Sequence, residues 1–454
     1  MLKIILKGHD NYYGIGDVVR MFYGPCRELR SENAVICDCG PDLVIKSTAH
    51  DDGELPINRQ VKRDLYKTIS ELTDKEFPWG SLTGIRPTIV AREEGFEPEA
   101  LSRKYFVRQD KAKLACETAK YEYDLARKGQ EGLNVYVGVP MCPGRCEYCS
   151  FIAEDATRHL DRLPQYADAL IKEMNCIKPF ITKVPVSIYM GGGTPTVFGD
   201  EDFRRVATCI KDCFKSGAET EFTVEAGRPD TITQDKLEAM REAGVQRICI
   251  NPQTMRDETL MNLHRGHSSE DTVRAFEMAR EAGFEVINMD LIAGLKYETA
   301  DDFLYSLREV LKLEPENVTI HTLYRKRRAS MTREDVMNSE GRGDIDEALA
   351  QAYDELYKRG YAPYYLYRQK DTESGLENTG FCKNNTACVY NVAMMSETCD
   401  VLSVGAGGMS KRYFGEGRFE RCPCVKDIST YMRFAEEMAE RKINFFDLRP
   451  RAPK

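Results

Sequence analysis

At 454 residues, with 42% hydrophobic and 30% charged side chains, the chain has room for two or three domains, one of them of barrel size. Its 73 acidic against 64 basic residues leave a net charge of −9, which argues against nonspecific nucleic-acid binding and favours a small-molecule partner. No run approaches the roughly 18 apolar residues of a membrane span, the start MLKIILKGHDNYYG lacks a secretory h-region, and 16 cysteines then point to a reducing cytoplasm.

Residues 1–130 are expected to form an N-terminal accessory α+β domain. It carries FPWGSLTGIRPT, with the sole tryptophan Trp79, and a charged helix over Asp110–Arg127. From 131 to 345 apolar runs alternate with amphipathic stretches. The runs Leu133–Val139, Val186–Met190, Phe222–Glu225, Arg247–Asn251, Val286–Leu291 and Val318–Leu323 read as strands. Leu163–Ile177, Glu201–Phe214, Gln234–Ala243, Ser269–Ala282 and Asp301–Leu313 read as the helices between them, with EAG stops at 242–244 and 281–283. Such βα units imply parallel strands with right-handed crossovers. The expected fold is α/β, an open (β/α)6 partial TIM barrel. Residues 346–454 are expected as a C-terminal accessory domain, with a helix over Glu347–Lys358, the aromatic strand YAPYYLYR and the glycine-rich VGAGGMS.

In parallel βα barrels chemistry gathers at the C-terminal strand ends. The first strand here runs into CPGRCEYC, where Cys142, Cys146 and Cys149 are spaced C-x3-C-x2-C. Three thiolates on one short loop can hold three irons of a [4Fe–4S] cube and leave the fourth open to a chelating small molecule. The other reading of the same residues is a zinc knuckle lacking its fourth ligand. The second strand ends in GGGTPT (Gly191–Thr196), where missing side chains let the backbone approach a ligand. The third ends at Glu225, able to accept from ribose hydroxyls; the fourth runs into Gln253; the fifth carries Asp290; the sixth runs into Tyr324.

Arg265 can form a charge-assisted pair with a carboxylate, or a surface salt bridge within HRGHSSED. Its neighbours His264 and His267 read as a polar surface loop, and His321 as pointing into the barrel. Arg325, Lys326, Arg327 and Arg328 suit a polycarboxylate substrate, with Arg86 a second candidate. Cys37, Cys39 and the five C-terminal cysteines, Cys382, Cys388, Cys399, Cys422 and Cys424, are expected as isolated thiols.

With PWGSLTGIRPT, CPGRCEYCSF, YMGGGTPT, VEAGRPDTIT, INPQT, NMDLIAGL, VTIHTL, PYYLYRQK and GLENTGF in hand, the chain resembles the radical S-adenosylmethionine (SAM) enzymes of the oxygen-independent coproporphyrinogen III oxidase family, of the HemZ type. The resemblance implies a [4Fe–4S] cluster on Cys142, Cys146 and Cys149, with SAM on its open iron. It implies first-SAM contacts from Tyr136, Tyr148, Gly192 and Glu225, and a second SAM lined by Gly193, Thr194, Gln253, Arg265, Asp290 and Tyr324. A flavodoxin or ferredoxin would donate electrons, and two propionates of coproporphyrinogen III would become vinyl groups. Phe151 stands where a fourth cysteine follows the motif in the HemN branch. Relatives with phenylalanine there include haem chaperones without decarboxylase activity, so a haem-binding chaperone is the rival reading, and an enzyme modifying haem a third.

Overall fold

The computed structural model describes residues 1–149, 154–215, 217, 219–323, 345–368 and 375–448. They divide into two compact units, Met1–Tyr121 with Leu366–Thr379, and Glu122–Tyr365 with Gly380–Lys454.

The first unit holds a four-stranded sheet of β1 (Leu2–Lys7), β2 (Glu28–Ser31), β3 (Ala34–Cys37) and β4 (Leu43–Thr48), in the order β2-β3-β1-β4. Alternation in β1 buries Leu2, Ile4 and Leu6 on one face, as a half-covered strand requires. Helices Tyr12–Tyr23 and Ile57–Thr73 bring Ile15, Val19, Phe22, Leu65 and Ile69 into the same core. Cys37 and Cys39, expected as isolated thiols, instead meet each other and Cys26.

Residues from three sequence motifs also converge in this unit. The Trp79 indole N–H donates to Glu377 Oε2 at 2.9 Å, and Glu377 Oε1 accepts from Lys111 Nζ at 2.7 Å, all three buried. Arg368 stacks 5.5 Å over the Trp79 ring. Trp79, Arg368 and Glu377, one residue from each of PWGSLTGIRPT, PYYLYRQK and GLENTGF, therefore share one polar core. Arg86 lines a cavity of about 360 Å³ in this unit with Arg59, Lys62 and Tyr105.

The second unit is built on the expected parallel strands. In chain order they are β5 (Leu133–Val139), the short β6 (Met141–Cys142) and β7 (Glu154–Asp155), β8 (Pro185–Gly192), β9 (Glu221–Gly227), β10 (Arg247–Ile250), β11 (Val286–Ala293) and β12 (Asn317–Thr322). After them come β15 (Val401–Val404), β16 (Met409–Tyr413) and β17 (Phe419–Pro423), while β13 (Ala362–Arg368) and β14 (Glu377–Cys382) have residues in both units, Leu366–Arg368 and Glu377–Thr379 belonging to the first. One open sheet of eleven strands runs β13-β14-β12-β11-β10-β9-β8-β5-β15-β16-β17.

From β5 through β12 each pairing in the parallel core with a known register is parallel. Burial on both faces, complete in β10, is what a helix-covered parallel strand needs. Helices Arg162–Ile177, Asp200–Phe214, Gln234–Ala243, Ser269–Glu281 and Ala300–Lys312 form the crossovers. Ser268 and Thr299 start two of them with capping boxes, and Gly244, at φ 77°, ends a third in the left-handed conformation that glycine tolerates best.

The segment after 346, expected as a domain of its own, extends this sheet at both edges: β15 lies parallel beside β5, and β14 lies beyond β12. A buried network holds the C-terminal helices. Glu173 accepts from Tyr431 Oη at 2.6 Å, from the Gly405 amide at 2.9 Å and from Lys442 Nζ.

One buried carboxyl makes stability depend on pH. Glu298, ahead of helix Ala300–Lys312, is 4% exposed and accepts from Thr254 Oγ1. Burial lifts its pKa from 4.5 to about 7. The folded chain therefore holds a proton that the unfolded chain has lost between these two values, and stability falls across that window as pH rises. At pH 8 the Glu298→Gln protein is expected to resist urea better than the parent by about 1–3 kcal/mol, with the gain gone at pH 5. Equal gains at both pH values would exclude this origin.

Candidate functional site

The first strand delivers the cysteine loop. β6 and β7 pair in parallel, Met141 with Glu154 and Cys142 with Asp155, which sets Glu154 and Asp155 beside the start of the cysteine loop. The Cys149 amide donates to Cys146 O at 3.1 Å, and the Glu147 amide donates to Leu263 O at 3.3 Å. Phe151 lies outside the described residues. Among the described residues, the thiols close enough to share one ion are not these three. Burial pushes the Cys142 thiol up to about 11, while Thr194 Oγ1, 3.5 Å from its sulfur, works the other way.

The glycine run is zipped to this loop. Gly193 and Thr194 donate their amides to Val139 O and Met141 O at 2.9 and 2.8 Å. A Cβ on Gly193 would lie 2.4 Å from Met141 O, and Gly192 has φ 111°, so both positions demand glycine. The amides of Gly193 and Thr194 are thus engaged within the fold, and Gly192 and Gly193 remain partly exposed.

Glu225, at the end of β9, accepts from Tyr189 Oη at 2.5 Å and from the Gly192 amide at 3.0 Å. Part of its surface remains open, yet it lies deep enough for burial to raise its pKa against both hydrogen bonds. Tyr136 sits opposite Tyr189 in the β5–β8 register, and the two stack with Tyr390, at 5.9 Å from Tyr136 and 4.6 Å from Tyr189.

Arg265 is buried, which overturns the surface salt bridge. Its Nη1 donates to Tyr148 Oη at 2.9 Å and lies 3.8 Å from Cys146 Sγ; its Nη2 donates to Asn251 O at 2.6 Å and Gly227 O at 3.3 Å. One guanidinium so ties the ends of β9 and β10 to the cysteine loop. His264 is exposed as expected, but His267 is buried. Burial and then Arg265 lower the His267 pKa to about 3, leaving a neutral imidazole. The surface-loop expectation failed at His267, which lies among Arg265, Asp230, Arg228 and Asp271.

Gln253 adopts φ 71° and exchanges backbone hydrogen bonds with Asp290 O and the Ile292 amide, both at 2.9 Å. Asp290 accepts from Asn288 Nδ2 at 2.7 Å, and His321 Nε2 lies 3.6 Å from its other oxygen. Tyr324, Arg325, Lys326, Arg327 and Arg328 lie outside the described residues.

Sequence reading missed Arg228, Tyr189 and Tyr390. Arg228 follows Gly227 at the β9 end, grips Asp230 through two nitrogens at 2.9 and 2.7 Å, and leaves Nη1 buried without a partner. Register could have found Tyr189, the cross-strand partner of Tyr136. Nothing local flags Tyr390.

Among the described residues, Gln253 Oε1, Asn251 Oδ1, Arg228 Nη1 and Tyr390 Oη are buried polar atoms without partners. Buried polar groups are costly when left unpaired. A set of three thiols, a cradle that excludes Cβ atoms and these acceptors and donors fits an iron–sulfur cluster with a polar, zwitterionic ligand beside it.

Comparison with known proteins agrees. The radical SAM superfamily model matches residues 136–310, and that family uses a [4Fe–4S] cluster and SAM. The oxygen-independent coproporphyrinogen-III oxidase-like protein HemZ of Bacillus subtilis is 34% identical, over 81% of this chain and 77% of that protein. The heme chaperone HemW of Haemophilus influenzae is 26% identical, over 68% of this chain and 78% of its own. The solved structure of coproporphyrinogen III oxidase HemN from Escherichia coli, a radical SAM enzyme, shares the fold at TM-score 0.55 and 22% identity, over 70% of this chain and 72% of that one. The chain belongs to the radical SAM superfamily and, within it, to the oxygen-independent coproporphyrinogen III oxidase family of the HemZ type.

Proposed function

We propose that the chain is a radical SAM oxidoreductase that decarboxylates propionate arms of coproporphyrinogen III to vinyl groups, giving protoporphyrinogen IX. The observation that carries this reading is the rim itself: the cysteine loop is hydrogen-bonded strand-to-strand to the glycine run, with Glu225 and Gln253 beside it. The likeness to HemZ, whose name calls it oxidase-like, runs over more of this chain than that to the Haemophilus HemW, and it supports this reading.

When bound, the cluster and SAM supply one-electron cleavage of SAM and hence hydrogen-atom abstraction. In this reading Cys142, Cys146 and Cys149 hold three irons. Tyr136, Tyr148, Gly192 and Glu225 receive the first SAM, with the Glu225 carboxylate accepting from its ribose. Gly193, Thr194, Gln253, Asp290 and Tyr324 line a second. Arg265 is a positioning residue there, its Nη donors being spent on Tyr148 and on backbone carbonyls. Arg325, Lys326, Arg327 and Arg328 would grip propionates.

Each propionate loses a hydrogen atom from its β-carbon, then CO2 and one electron, which an acceptor takes. A flavodoxin or ferredoxin supplies the reducing electron. No helix among the described residues is long and apolar enough to cross a membrane. Anaerobic turnover with SAM, reductant and coproporphyrinogen III tests the proposal. Product carrying vinyl groups is expected, and recovery of unchanged porphyrinogen beside cleaved SAM overturns it.

A further inference from the structure

In the first unit, far along the chain from the cysteine loop, the sulfurs of Cys26, Cys37 and Cys39 all lie within 4.8 Å of one another. The arrangement is built by the sheet. β2 and β3 run antiparallel with Glu28 opposite Cys37. The ladder then continues past the strand end, where the Asp38 amide donates to Arg27 O at 3.2 Å and Asp38 Oδ1 accepts from the Arg27 amide at 2.8 Å. That extension lays Cys26 against Cys37, the last residue of β3, and Cys39, in the turn beyond it. Cys37 is fully buried in the sheet core, while Cys26 and Cys39 are half-buried at its margin. None of the three is in a disulfide.

Spacing separates the possible uses. A disulfide needs sulfurs about 2.05 Å apart and can take only two of the three. Thiolates about 2.3 Å from one tetrahedral zinc stand about 3.8 Å from each other, inside the observed limit. A cube, with one iron per thiolate, needs wider separation. Soft sulfur donors select thiophilic ions. We propose that Cys26, Cys37 and Cys39 form a tris-thiolate site for a thiophilic d10 ion, zinc above all, with the fourth position facing solvent between the half-buried Cys26 and Cys39. Burial and the Cys26 thiol push Cys37 and Cys39 up to about 12, so the metal-free site keeps its protons and the ion must displace them. The ion would clamp the segment after helix Tyr12–Tyr23 to the end of β3.

The test uses the full chain with Cys142, Cys146 and Cys149 replaced by alanine, which removes the other thiol-rich loop. The protein is purified under reducing conditions, loaded with zinc alone and dialysed against a chelator. About one zinc per chain should remain. It should be lost on Cys39→Ser and on Cys26→Ser, chosen because both sites are half-exposed and their variants should fold. Cobalt in place of zinc should give thiolate-to-metal charge-transfer absorption in the parent and none in either variant. Zinc retained undiminished in both variants, no zinc in the parent, or a parent mass short by two hydrogens from a disulfide would each overturn the proposal.

Discussion

Replacing Cys146 with alanine should remove the iron–sulfur chromophore and SAM cleavage together. Cys146 is the buried member of the loop, and its sulfur lies 3.8 Å from Arg265 Nη1. The backbone bonds that fold the loop, Cys149 to Cys146 and Glu147 to Leu263, do not involve the thiol. The alanine protein should therefore fold and yet hold too few ligands. After anaerobic reconstitution its iron should fall from about four per chain to well under one, with SAM cleavage at background. Cys399→Ala, a change at a buried thiol of the same unit away from the rim, should keep both. An unchanged iron content in Cys146→Ala would refute the ligand assignment.

Glu173→Ala should cost the most stability of any single change in the second unit. Glu173 and Lys442 side chains are 0% and 2% exposed, and the same carboxylate holds Tyr431 and the Gly405 amide. Removing one partner of a buried ion pair leaves a charge without compensation, at about 3–5 kcal/mol. Urea unfolding at neutral pH reads this directly. Adding Lys442→Met should restore much of the loss, because the stranded ammonium disappears with its partner. A loss below about 1 kcal/mol for Glu173→Ala would show that the network contributes little.

The parallel core was legible because its signals are local. Leu133–Val139 and Gln234–Ala243 form the element expected over the same residues, and Gly244 stops its helix where EAG suggested. The strand placements were legible too: Cys142 ends β6 and Glu225 lies near the end of β9, whereas Asp290 sits inside β11, which runs on to Ala293. What escaped depends on contacts distant in sequence. β15 is four residues, VLSV, and becomes a strand by lying beside β5, more than 260 positions earlier. Tyr390 joins the Tyr136–Tyr189 stack across a similar distance. His267 sits in a charged, polar stretch that reads as surface, and its burial beside Arg228 and Asp230 joins residues far apart in sequence. Cys26, Cys37 and Cys39 lack any ligand-run spacing because an antiparallel ladder, not a single loop, brings them together.

The separation between oxidase and haem chaperone rests on what happens to carbon. The most direct measurement is CO2 release from carboxyl-labelled coproporphyrinogen III, counted against 5′-deoxyadenosine, with the reconstituted protein under anaerobic reduction and haem added in a parallel sample. The account predicts labelled CO2 in fixed proportion to 5′-deoxyadenosine, accumulating over many turnovers. SAM cleavage with no labelled CO2, alongside tight binding of one haem per chain, would contradict it.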